Sequence, residues 1–166
     1  MSNKLVPLFA SLTHGVYVIG VAAGERKNAF TAAWLMQTSF DPPMLALSIN
    51  PLHSSYRLLK AGSGFTVNVL DRGQRNLAVH FAKPMASNKL ASISWRGSGC
   101  GAPILDQAMA WFECEQTDEF PSGDHVLVLG RVVNGGLLSE TSSPMNYREM
   151  SGADSTASLL AKGFNP

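Results

Sequence analysis

Four short groups of residues carry most of the ligand-binding chemistry this sequence can offer. Thr31, with Ala32, Ala33 and Trp34, closes one run, and Gln37, Thr38 and Ser39 follow in a polar elbow. Ser48, Ile49 and Asn50 close a second run, and Ser54 and Ser55 stand where a helix can begin. None of these is a strong acid, base or nucleophile. Hydroxyls, amides and free backbone N–H groups suit the edge of a planar heteroaromatic ligand and, at a helix start, a phosphate. The plainer reading is that Thr31 and Ser39 satisfy strand ends and that Ser54 or Ser55 caps a helix carrying the solvated cations Arg57 and Lys60.

His125 is the one proton-transfer group with a suggestive setting, because Gly123 and Asp124 place it just after a turn, at the head of an apolar run. A neutral imidazole there can hydrogen-bond a ligand, with Asp124 orienting it. A lone histidine at a strand start is more often a structural hydrogen bonder. His14, His53 and His80 lack metal-ligand spacing. Cys100 and Cys114 make neither a disulfide framework nor a metal cluster, so a reduced, cytoplasmic setting is expected, with Cys114 in the core. No G-x-G-x-x-G follows a strand, and the run from Gly97 to Gly101 reads as a loop.

Thirteen basic and twelve acidic side chains in 166 residues leave a formal charge of +1. That balance gives no electrostatic case for nucleic acid or an anionic membrane and points to a small-molecule partner. The longest apolar stretch, Val16 to Ala23, is too short to span a bilayer, and the N-terminus has no secretory pattern. With 45% hydrophobic and 15% charged residues, the surface is lean enough to suit a dimer, although a well-buried monomer has the same ratio.

The elements that must position these residues are mostly strands. His14 to Ala23 and Ala29 to Leu35 form an expected hairpin across Gly24 to Asn28, and Met44 to Ile49 a third strand. In the elbow, Pro42-Pro43 should hold Thr38 and Ser39 extended, with amides facing something other than a strand. His53 to Ala61 reads as a helix, Gly64 to Leu70 as a strand, and Gly73 to Ala82 and Asn88 to Ile93 as helices outside a barrel. Ala108 to Glu119 alternates like a half-exposed strand, with Ala110, Phe112 and Cys114 opposite Trp111, Glu113 and Glu115. His125 to Val133 reads as buried on both faces and ending at Gly135-Gly136. A short lead-in precedes residue 12, and a half-ordered tail runs from 139 to 166.

Taken together, His14-Gly15-Val16-Tyr17-Val18, Asn28-Ala29-Phe30-Thr31-Ala32-Ala33-Trp34, Ser39-Phe40-Asp41-Pro42-Pro43, Phe65-Thr66-Val67-Asn68-Val69-Leu70, Gly123-Asp124-His125-Val126, Gly130-Arg131-Val132 and Tyr147-Arg148-Glu149 resemble the flavin reductase-like family in order and spacing. The Ala33-Trp34 variant is similar to modules fused to flavo-diiron proteins. The resemblance implies a mainly β, Greek-key split barrel with peripheral helices, a single domain over 1–166 with its core at about 12–138, and a homodimer. It implies an FMN-dependent NAD(P)H:flavin oxidoreductase that passes electrons to free flavin or another acceptor, with a monooxygenase or redox-protein partner.

The resemblance sets FMN against Thr31 to Trp34, Gln37 to Ser39, Ser48 to Asn50, Ser54, Ser55 and the Phe81-Ala82-Lys83 segment. NADH or NADPH would lie beside His125, Tyr147 and Arg148. Ala82-Lys83-Pro84 departs from the small residues usual in the family, which puts the shape of the nicotinamide half-site in question. An FMN-bound electron carrier that docks a rubredoxin or flavo-diiron partner is the rival reading. A split barrel holding another ligand, or serving only to dimerise, is a third.

Overall fold

The computed structural model describes residues 5–9, 11–83, 88–141 and 143–150. A short helix α1 (Val6–Phe9) leads to strands β1 (Tyr17–Ala23), β2 (Arg26–Ala32), β3 (Leu35–Phe40) and β4 (Pro43–Ile49). Helix α2 (Tyr56–Ala61), β5 (Gly64–Val69), helix α3 (Arg75–Ala82) and the short strands β6 (Trp95–Gly97) and β7 (Pro103–Leu105) follow. Two long strands, β8 (Ala110–Ser122) and β9 (His125–Leu137), precede a 3-10 turn at Tyr147–Met150.

Seven strands form one antiparallel sheet in the order β2-β1-β5-β8-β9-β4-β3. The connection from β4 to β5 passes the β8–β9 pair, a Greek-key order. Although β2 and β3 are opposite edges of the sheet, Phe30 and Ala32 of β2 share an apolar cluster with Leu35 of β3, Leu47 of β4, Phe65 of β5 and Val128 of β9. The sheet must therefore curl until its edges meet around a common interior. The edges meet without pairing, at the link Ala33-Trp34, which is the split of the barrel. A second cluster covers the outer face of β1 and β2 with Leu77, Ala78 and Phe81 of α3, Leu105, Met145 and Met150.

Several expectations are corrected. The elbow is a hairpin: Gln37 pairs with Leu45 and Ser39 with Met44, and only Thr38, at a bulge, lacks a place in the register. Helix α2 starts at Tyr56, because the turns Asn50–His53 and His53–Tyr56 use up the backbone groups before it. Ser55 makes no capping bond. Residues Asn88 to Ile93 form turns, since the Asn88 side chain accepts from Leu90 N–H and so competes with helix formation. Strand β9 continues through Gly135 and Gly136, where any Cβ would run into the Trp111 backbone or indole.

The far half of β9 is largely exposed, because the β8–β9 ribbon outruns the barrel. Glu113 is buried, not exposed, at a register shift next to Cys114. The Arg96 to Gly101 segment is partly strand, pairing Arg96 with Ile104 and Gly97 with Pro103. Residues 143–150 of the tail pack on the barrel, where Gly15 bridges Asn146 and Met145 packs inside. Pro84 and the tail beyond 150 fall outside the described residues.

Candidate functional site

The site forms where the barrel is split. Trp34 ends the β2–β3 link, and its carbonyl accepts from Ser48 N–H at 2.9 Å, which fixes the link against β4. Ile49 pairs with Val126, so the end of β4 lies beside the head of β9 and His125. The Trp34 and His125 rings sit 4.9 Å apart and tilted by 50°. On the other side of the imidazole, Nδ1 lies 2.8 Å from Asp124 Oδ1. That hydrogen bond holds the Asp124 carboxyl below its ordinary range. With Nδ1–H donating to the carboxylate, Nε2 is left as an acceptor.

A second group lies further back along β2. Asn28 Nδ2 donates to Ser55 Oγ at 2.8 Å, and both residues are buried. His53 packs its ring on Phe30 with centroids 4.6 Å apart, and its Nδ1 accepts from Ser55 N–H. Burial, with Lys89 adding repulsion, pushes His53 down to about 4. Lys89 is 5% exposed. Its Nζ donates to the carbonyls of Phe81 and Lys83, each at 2.9 Å. Burial pushes this ammonium down to about 8. Among the described residues no carboxylate pairs with it, so a buried positive charge faces two carbonyls with a third N–H to spare.

The remaining predicted residues sort themselves around these two groups. Thr31 donates its hydroxyl to Ala78 O at 2.6 Å, tying β2 to α3 as the plainer reading holds. Gln37 and Thr38 are exposed, and Gln37 Nε2 donates to Ser39 O. Asn50 Oδ1 accepts from Leu52 N–H, and Ser54 is exposed. Phe81 is buried, Ala82 half-buried and Lys83 exposed at the end of α3. Lys60 is paired with Glu119 at 2.8 Å, and Arg57 is exposed. Tyr147 N–H donates to His14 O, and Arg148 reaches Ser11 O at 3.2 Å, so both hold the lead-in to β1.

Sequence reasoning missed Lys89 because Asn88 to Ile93 reads as an exterior helix, on which a lysine is solvated.

The donor set fits a flavin. It offers an open aromatic edge at Trp34, backbone at Ala32 to Trp34 and Ser48 to Asn50, and at the end of α3 a buried cation, Lys89, that suits a phosphate. A family model described as "Flavin reductase like domain" matches residues 9–153. The chain belongs to the flavin reductase-like family.

The flavin reductase-like chain is 33% identical over 133 residues to a probable flavin reductase of Rhizobium meliloti, covering 78% of this chain and 42% of that one. It is 31% identical to the high molecular weight rubredoxin of Moorella thermoacetica, covering 82% and 61%. It thus spans less than two thirds of either relative. A Streptomyces globisporus NADH:FAD oxidoreductase, solved with NAD and FAD fragments, superposes with a TM-score of 0.81 at 26% identity, covering 89% and 88%.

Proposed function

We propose that this chain is an NAD(P)H-dependent flavin reductase whose binding site takes the FMN moiety of a flavin. The observation that carries the reading is the pairing of Trp34 with His125 at the split, with the buried Lys89 ammonium held at the end of α3. The ring lies at the split against Ala32, Ala33, Trp34, Ser48 and Ile49. Its phosphate meets Lys89, Ser54 and the α2 end, near Asn28, Ser55 and His53. Gln37, Thr38 and Ser39 border the outer edge, and Phe81 to Lys83 close the α3 side. When bound, the flavin accepts hydride at N5 from C4 of NADH or NADPH and passes the electrons to free flavin or another acceptor.

His125 holds the nicotinamide carboxamide through Nε2, and Asp124 fixes its tautomer. Positioning to about 3.5 Å is the protein's main contribution to the reaction. No side chain is a covalent catalyst. We place Tyr147 and Arg148 as supports of the nicotinamide side, acting through the lead-in to β1.

The reading includes a cytoplasmic homodimer. It is supported by Phe40 (89% exposed) and Met36 on β3, Leu137 on β9, and two free cysteines. Among the described residues no helix is long and apolar enough to cross a membrane. A monomeric mass with full flavin occupancy would refute the dimer. Likeness to a high molecular weight rubredoxin favours a second reading, an electron carrier that docks a redox protein. Anaerobic addition of NADH, then NADPH, to flavin-loaded protein separates the two. Rapid loss of absorbance near about 450 nm supports the reductase, and retained colour supports the carrier.

A further inference from the structure

Where the Gly99-Cys100 loop meets β8 and the far half of β9, a cavity of about 500 Å³ opens against Cys100, Glu113, Gln116 and Val133. Its described lining residues take no part in the site at the split, and His125 stands at the opposite end of β9. Glu113 is 6% exposed. Its Oε1 accepts from Cys100 N–H at 2.7 Å, and a Cβ on Gly99 would sit 3.0 Å from the same oxygen, so glycine lets the loop close on this carboxylate. Among the described residues the other oxygen has no hydrogen-bond partner and no cation pairs with the group, since Arg131 pairs with Glu115 instead. Gln116, in the same wall, buries an amide oxygen that also lacks a partner.

A charge taken out of water without a counterion is costly, and acceptors left open inside a fold call for a donor. No lysine, arginine or histidine is among the described lining residues. Burial, with Cys100 and Glu113 adding repulsion, pushes the Cys114 thiol in this wall up to about 12, so that sulfur stays neutral. The described residues bring no three His, Cys, Asp or Glu together in a way that could hold a metal ion, which leaves an organic cation. A cavity of this size suits a small molecule, and Val133 and Cys114 offer apolar contact to a carbon chain.

We propose that this cavity binds a small primary amine in its ammonium form, the charged head donating to Glu113 and the alkyl chain lying along Val133. An ammonium brings three donors and the positive charge that Glu113 lacks. The inference is independent of the flavin-binding reading.

The test is a titration of the flavin-loaded protein with butylamine and with butan-1-ol, its uncharged counterpart, followed through the backbone amide resonances by NMR at physiological salt. The Cys100 amide, which donates to Glu113, should shift saturably with butylamine, with a Kd of about 1 mM or below, and should not move with butanol. Glu113→Gln keeps an acceptor for Cys100 N–H and removes the charge, so it should weaken butylamine binding about tenfold or more. Val133→Trp, which fills the cavity from an exposed strand position, should weaken it as much with the carboxylate intact. A Kd above about 10 mM, equal binding of butanol, or an affinity unchanged in Glu113→Gln overturns the proposal. Displacement of butylamine by zinc ion would make this a metal site and also overturns it. Should Glu113→Gln fail to fold, an affinity retained in Val133→Trp overturns it.

Discussion

The indole of Trp34 packs against the imidazole of His125 at 4.9 Å, joining the β2–β3 link to the head of β9 across the split of the barrel. With Asp124 on Nδ1, the imidazole is constrained from two sides, and only Nε2 is left to meet a ligand. Replacing His125 by Ala should lower single-turnover hydride transfer by about 10- to 100-fold, the worth of one or two hydrogen bonds. Flavin affinity should change little. Trp34→Ala removes one constraint without removing the acceptor, so its loss should be smaller, about three- to tenfold, and should appear in KM for the nicotinamide. Stopped-flow reduction of each loaded variant measures both, and an unchanged rate in His125→Ala would remove the imidazole from the reaction.

Gly130 shows how tightly the barrel interior is filled. A Cβ at this position would sit 2.7 Å from Cys114 Cβ and from two atoms of the Phe65 ring. Neither neighbour is the far end of a flexible chain, so the clash must be relieved by moving β8 or β5. Gly130→Ala should therefore destabilise the fold by about 1–3 kcal/mol. Gly97→Ala, in a position with open space around it, serves as the control. Urea denaturation midpoints measure the difference.

Strand and helix order was readable wherever local pattern and tertiary packing agree. β1, β2, β4, β5 and α3 follow from apolar runs and turn residues, and the family follows from motif order. What could not be read arises from contacts between distant segments. Glu113 looks like the outer residue of an alternating strand, but the Gly99-Cys100 loop covers it and Cys100 N–H donates to its carboxylate. Ser55 looks like a cap, but a buried Asn28 claims its hydroxyl. Lys89 is an ordinary surface lysine until the end of α3 presents two carbonyls to it. At the split, Trp34 and His125 stood out in the motifs that carry them, and the buried polar groups behind them did not.

With the phosphate placed at Lys89 as proposed, flavin binding should depend on pH. In the flavin-free protein its ammonium titrates at about 8, and a bound phosphate raises that value by favouring the charged form. Affinity should thus be greatest below pH 8 and fall as pH rises through 8. Lys89→Met should weaken binding by about 10- to 100-fold, as expected for a lost charged hydrogen bond, and flatten the profile. Titration by flavin fluorescence between pH 6 and 10, a range chosen to span the ordinary lysine value, checks both. A profile in Lys89→Met that matches the wild type would separate this residue from the phosphate.

The buried His53 should make the fold less stable in acid. Its folded value, about 4, lies below the ordinary 6.5, because the ring is buried on Phe30 and Lys89 repels its charged form. A histidine that stays neutral when folded leaves the unfolded chain binding the extra proton between these values. Its contribution is therefore complete above pH 6.5 and is lost as pH falls towards 4, by at most about 3 kcal/mol. His53→Gln should reduce the fall in stability across this window. Lys89→Met should also reduce it, since removing the ammonium lets His53 titrate nearer its ordinary value. Urea midpoints at several pH values would show both effects, and a wild-type slope retained in His53→Gln would assign the acid sensitivity to carboxylates instead.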